Sequence, residues 1–110
     1  MTAAPLVPEL IRRYFELAPK PDQEEYFALF ADDAVVQDEG KEYRGIEAIR
    51  DWRRRVPLVT YTVTDVEDTP DGTIVTTTIS GDFAGSPFTG LKYRFRHYDS
   101  NQIRQLTIAP

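Results

Sequence analysis

Apart from one short alternating run over residues 34–38, the spacing of apolar residues changes once along this 110-residue chain, at Pro57, and this change constrains the fold more than any other feature. Before Pro57, apolar residues recur at three- and four-residue steps, which is the period of an amphipathic helix. After Pro57 they alternate with threonines and other polar residues, which is the period of a strand. The length suits one domain, so residues 1–110 are predicted to form a single unit with its helices first.

Three helices are predicted, over residues 5–18, 23–31 and 46–56. Pro19 ends the first helix, and Pro57 disfavours helix at the residue before it. Between the second and third helices, Ala34, Val36 and Asp38 alternate along one face of a short strand. That strand would carry a carboxylate at its end, on the same face as two apolar side chains.

Four long strands are predicted after Pro57, and Asp71-Gly72 is a strong signal for a hairpin between the first two. A sheet of this size beside a layer of helices must curl around them, so its concave side is a natural pocket. The predicted fold class is therefore α+β, with three N-terminal helices packed in a curved antiparallel sheet of four to six strands.

Composition removes several classes of function. Thirteen basic and 18 acidic residues give a net charge of −5, and an acidic chain repels phosphate backbones, so no nucleic-acid partner is expected. Cysteine is absent and His97 is the only histidine in the sequence, so neither a metal site nor a cofactor is expected. The sequence has no signal peptide and no apolar run approaching ~18 residues, which predicts a cytoplasmic protein without a membrane partner.

Two segments carry a family resemblance. Residues 28–34, followed by Val36 and Asp38, resemble the helix-to-strand signature of the NTF2-like superfamily, many of whose members are called SnoaL-like proteins. Residues 43–49 resemble the usual entry of that superfamily into its third helix. The resemblance implies a cone-shaped fold but no single activity, because the superfamily includes isomerases, cyclases, hydrolases and plain binding domains.

One branch is more similar. Arg13-Tyr14 and the run from Ala34 to Asp38 resemble the motifs of bacterial ketosteroid isomerases. The resemblance implies that Asp38 is a base and that Tyr14 donates a hydrogen bond to an enolate oxygen. This chain departs from the branch in having Tyr93 at the position of the second oxygen donor. It also has Glu39 where proline is common.

Each candidate residue also has a purely structural interpretation. Asp38 could pair with an arginine of the third helix, and Tyr14 could fill the core. Residues 53–55, all arginine, are interpreted as a solvated helix face. The side chains predicted to contact a ligand are Trp52, Phe30, Tyr61, Phe83, Phe95 and His97.

Two hypotheses follow from these residues. In the first, the protein moves a proton next to a carbonyl of a small apolar ligand, as an isomerase or an aldol cyclase, without a cofactor. In the second, it is a non-catalytic domain that binds a small molecule or dimerises. A homodimer is expected in either case, and the two hypotheses differ in whether Tyr14 and Asp38 open onto one cavity.

Overall fold

A computed structural model describes residues 8–96 and 102–110 of the chain. The helices in these ranges are α1 (Glu9–Leu17), α2 (Glu24–Phe27) and α3 (Ile46–Arg55). The strands are β1 (Phe30–Asp38), β2 (Lys41–Arg44), β3 (Val59–Thr69), β4 (Gly72–Gly81), β5 (Phe88–Arg96) and β6 (Ile103–Ala109). The α+β fold class is confirmed, and the arrangement is that of an NTF2-like cone.

The six strands form one sheet in the order β2-β1-β6-β5-β4-β3. Four of the five neighbouring pairs are antiparallel, as predicted, but β1 and β6 are parallel. The parallel pair arises because β6, the last strand of the meander from β3 to β6, lies beside β1 and runs in the same direction. β1 therefore lies within the sheet, between β2 and β6.

The apolar stripe of α1 faces the core as its spacing predicts. Leu10, Ile11, Tyr14 and Leu17 are all buried. Pro8 stands immediately before the helix, where its missing N–H costs no hydrogen bond. The helix was predicted from residue 5, and that start lies outside the described residues.

The predicted second helix over residues 23–31 is wrong in length. α2 is a single turn, and Phe30 already pairs with Ile103 of β6. The backbone N–H of Ile103 also donates to the Leu29 carbonyl at 2.7 Å. Pairing with β6 thus satisfies backbone groups that a longer helix would have satisfied internally, and this pairing is invisible in the local sequence.

The sheet curves around the helices to leave one end of the cone open. Register shifts interrupt the pairing of β3 with β4 and of β4 with β5, and such irregularities bend and twist strands. Val75, Phe95 and Leu106 fill the inner face below the helices. The open end lies where β1, β4 and β6 finish, which is where the candidate site is found.

Candidate active site

A cavity of about 740 Å³ opens at this end of the cone. Most of its wall is apolar or aromatic, which is typical of sites for small organic ligands. The polar groups on the wall are few and come from different elements. They are Tyr14 of α1, Asp38 of β1, Arg53 of α3, Tyr61 of β3 and Tyr93 of β5, with Glu39 beside Asp38.

Asp38 is half-buried and shares its strand face with the fully buried Ala34 and Val36, as the alternation predicts. Its Oδ2 accepts a hydrogen bond of 2.9 Å from Nε1 of Trp52. The ion pair with an arginine of the third helix, which was the structural interpretation, is not made: a neutral indole of that helix takes its place.

The pKa of Asp38 is raised above its ordinary value, chiefly because burial removes water from the carboxylate. The Trp52 hydrogen bond opposes this rise. The negative charge of Glu39 adds to the rise, and the positive charge of Arg53 opposes it. A carboxylate with a raised pKa is a better proton acceptor than an ordinary aspartate, which is what a general base requires.

Tyr14 has no solvent exposure, and its hydroxyl accepts a hydrogen bond of 3.0 Å from the hydroxyl of Tyr26. Either phenol can donate in this pair, so the hydrogen of Tyr14 is available to another acceptor when Tyr26 is the donor. Burial raises the pKa of Tyr14 well above its usual value, so the phenol stays protonated. Tyr14 is thus a neutral phenol, able to donate a hydrogen bond, at the wall of the cavity that Asp38 also lines.

Tyr93 lies beside this pair. Its ring centroid is 5.9 Å from that of Tyr14, and its side chain lines the same cavity. Burial, followed by the neighbouring Tyr61, raises the pKa of Tyr93, so it too stays a neutral phenol. The structure therefore brings the three predicted polar residues, Asp38, Tyr14 and Tyr93, to one space.

The predicted ligand-wall residues divide into three groups. Trp52, Tyr61 and Phe83 line the cavity, as expected. Phe30 and Phe95 do not, and that prediction is corrected: both rings pack against Tyr14 in the buried core, with centroids 6.2 Å and 5.2 Å from its ring. Alternation places a side chain on the inner face but does not say how deep in the cone it lies. The prediction for His97 falls outside the described residues.

Arg53 is the site residue that the sequence interpretation missed. It was placed on a solvated face, yet its side chain is only 7% exposed and lines the cavity, whereas Arg54 and Arg55 are exposed. The available signal was its position one helical turn after Ile49, which puts both residues on the buried face of α3. A run of three arginines hid that signal.

Within residues 8–96 and 102–110, no group of three or more histidine or acidic side chains is arranged to hold a metal ion. Over the same ranges, no helix has the length and apolar character needed to cross a membrane. The polar chemistry visible at the cavity is that of two carboxylates, one guanidinium and three phenols.

Residues 11–109 match the SnoaL-like domain family. The chain belongs to that family. The match covers nearly the whole chain and includes all the elements that carry cavity residues. It agrees with the resemblance that the segments at 28–34 and 43–49 indicate.

Solved structures similar to this SnoaL-like protein include protein SMa1630 of Sinorhizobium meliloti, a proposed polyketide cyclase. SMa1630 is 31% identical, with a TM-score of 0.83 over 94% of this chain and 95% of its own. A Catenulispora acidiphila protein with a ketosteroid isomerase-like fold, solved with trimethylamine, is 19% identical; its TM-score is 0.77 over 96% of this chain and 87% of its own.

RV0760c of Mycobacterium tuberculosis, solved with estradiol-17β-hemisuccinate, is also 19% identical. It superposes with a TM-score of 0.71 over 92% of this chain and 90% of its own. At this identity, the likeness shows a shared fold. No curated protein matches the chain.

Proposed function

We propose that this SnoaL-like protein is a cofactor-independent enzyme that moves a proton next to a carbonyl of an apolar ligand. The observation that supports this most is the shared cavity: Asp38 and the fully buried Tyr14 both contribute to the wall of one apolar space. A proton transfer of this kind needs a base for the acidic C–H and a donor for the oxygen on which charge develops. Asp38 has the first role and Tyr14 the second.

The supporting groups are arranged to favour the same chemistry. Trp52 orients one carboxylate oxygen of Asp38 through its indole N–H. Tyr26 is hydrogen-bonded to the Tyr14 hydroxyl, and when it donates to Tyr14 it leaves the Tyr14 hydrogen for a ligand oxygen. Tyr93 is a second neutral phenol on the wall. Apolar surroundings exclude water, which strengthens hydrogen bonds to a developing enolate.

The proposed substrate class is a steroid-like or polyketide-like ketone. The cavity volume and aromatic wall suit a flat fused-ring skeleton. Two of the similar solved structures support this substrate class: SMa1630 is a proposed polyketide cyclase, and RV0760c was solved with an estradiol derivative. An isomerase and an aldol cyclase need the same base and donor, so both reactions belong to the proposal.

The test is turnover of a β,γ-unsaturated ketosteroid by the unsubstituted protein and by Asp38→Asn. The substitution keeps the side-chain shape and removes the base, so turnover should fall by at least ~100-fold. Asp51→Asn, at an exposed position of α3, is the control and should leave turnover unchanged. If the unsubstituted protein binds the ketone but does not convert it, the enzyme hypothesis is wrong and the protein is a small-molecule-binding domain.

A homodimer is part of the same proposal. Leu58, Val63 and Phe88 are large apolar side chains that are 38–44% exposed. Burying them against a second copy would remove apolar surface from water. Sedimentation equilibrium should give twice the 12.6 kDa chain mass, and a mass of one chain at all concentrations would contradict the dimer.

A further inference from the structure

Arg53 is a buried cation at the cavity wall with neutral neighbours. Its Nε donates to Oε1 of Gln23 at 2.9 Å, and its Nη2 donates to the carbonyl of Ala18 at 2.8 Å. Its guanidinium carbon lies 4.5 Å from the ring centroid of Tyr26 and 5.5 Å from that of Trp52. These contacts hold the guanidinium in place, but none of them carries a negative charge.

No carboxylate among residues 8–96 and 102–110 forms an ion pair with Arg53. Asp38 shares the cavity and feels the charge of Arg53, but its hydrogen bond goes to Trp52. Arg12, Arg44, Arg50, Arg54 and Arg104 each have a carboxylate partner at the surface. Arg53 is only 7% exposed as a residue, and a guanidinium without such a partner is costly to bury, because it gives up hydration without an opposite charge in contact.

The guanidinium also retains capacity for a ligand. It has five N–H donors in a planar fork, and the bonds to Gln23 and Ala18 use those of Nε and Nη2. Tyr61, itself a cavity residue, is a further hydrogen-bonding neighbour of the guanidinium, and one N–H given to Tyr61 still leaves a donor for a ligand. Arginine binds carboxylate and other planar oxygen anions well, because its fork matches their geometry.

We propose that Arg53 is the anion-recognition residue of the cavity, so that the natural substrate carries a carboxylate or similar anionic oxygen group on its apolar skeleton. The inference rests on the proposed function in treating the bound anion as a substrate. The anion binds at Arg53 on α3, and the reacting carbonyl lies at Tyr14 and Asp38. A substrate of this class would be oriented by its charge at one point and by its carbonyl at another.

The test compares two probes of nearly equal shape, 2-naphthoate and 2-naphthamide, by isothermal titration calorimetry at neutral pH. The unsubstituted protein should bind the charged probe at least ~10-fold more tightly, the low end for a hydrogen bond to a charged group. Arg53→Gln should remove that preference while retaining the binding of naphthamide. Arg55→Gln makes the same charge change at an exposed position two residues away and should retain the preference.

Equal affinities of the unsubstituted protein for the two probes, or no binding of either, would overturn the inference without any variant. A persistent preference in Arg53→Gln, shown to be folded by circular dichroism, would overturn it as well. Turnover of the ketosteroid separates the two proposals: a protein with the preference but no turnover keeps the anion site and loses the proton-transfer role. A protein that converts the ketosteroid but does not prefer naphthoate keeps the proton-transfer role and loses the anion site.

Discussion

At the scale of single residues, the environment of Asp38 favours its protonated form. Burial removes water from the carboxylate, and the Trp52 hydrogen bond only partly replaces it. The folded protein therefore holds this proton more tightly than the unfolded chain does. A group whose pKa is raised on folding contributes stability at low pH, and this contribution is lost as the pH rises through the folded pKa.

Asp38→Asn should therefore melt at a higher temperature than the unsubstituted protein at neutral pH. Asparagine keeps an oxygen for the Trp52 N–H but has no charge to desolvate. The difference should shrink as the pH falls towards about 3.9, where aspartate is half protonated in an unfolded chain. Melting curves of both proteins across this range measure it. If Asp38→Asn melts several degrees lower at neutral pH, the negative charge of Asp38 stabilises the folded protein, and the residue has a structural role.

Tyr14→Phe tests the hydrogen-bond donor. The variant should bind a naphtholic steroid such as equilenin more weakly, by about 1.5–3 kcal/mol, because a hydrogen bond to a charged oxygen is lost. Tyr43→Phe is the matched control, since Tyr43 lies outside the cavity wall. Titration of both variants measures the effect, and equal affinities would mean that Tyr14 is only core filling.

At the scale of elements, prediction from the sequence succeeded where neighbouring residues decide the structure. The stripe from Leu10 to Leu17, the alternation that ends at Asp38 and the hairpin signalled by Asp71-Gly72 are all local patterns, and each element formed. The two residues that connect the hairpin strands are Pro70 and Asp71, because Gly72 already pairs with Thr69. The end of the second helix and the direction of β1 against β6 depend on a partner some 70 residues away, so the local pattern could not give them. The position of a side chain along the axis of the cone also depends on such distant pairing, which is why Phe95 was wrongly predicted to line the cavity.

Gly72 gives a prediction for the β3–β4 hairpin. Its φ is +147°, and a Cβ there would meet the backbone oxygen of Phe95 at 2.0 Å. That backbone belongs to β5 and cannot move without breaking the sheet, so Gly72→Ala should cost at least ~3 kcal/mol, the upper end for overpacking. Gly90 has a positive φ of 76°, but a Cβ there would meet open space. In Gly90→Ala, backbone strain alone should therefore lower the free energy of unfolding by about 1–2 kcal/mol. Urea unfolding of the two variants compares these costs, and equal losses would contradict the close approach.

At the scale of the whole molecule, the site exists only because the sheet closes around the helices. Tyr14, Asp38 and Arg53 come from α1, β1 and α3, and each alone looks like an ordinary core or surface residue. The sequence indicated the first two through a family resemblance. Arg53 carried no such resemblance, and its burial depends on how α3 packs against the rest of the cone.

Trp52 reports on the cavity as a whole because it is the only tryptophan in the chain and lines the wall. A flat phenol bound in the cavity should change its emission through ring contact and through displacement of its hydrogen-bond partner. Equilenin titrated to its solubility limit should quench the fluorescence. Unchanged emission alongside calorimetric binding would place the ligand elsewhere on the protein.

In the proposed reaction, Asp38 removes a proton next to a carbonyl. Nuclear magnetic resonance in D2O measures this step directly, as loss of the α-proton signal of a β,γ-unsaturated ketosteroid when deuterium replaces hydrogen. The unsubstituted protein should accelerate this exchange or the accompanying isomerisation, and Asp38→Asn should be slower by at least ~100-fold. Equal rates with the two proteins, while both bind the ketone, would contradict the account.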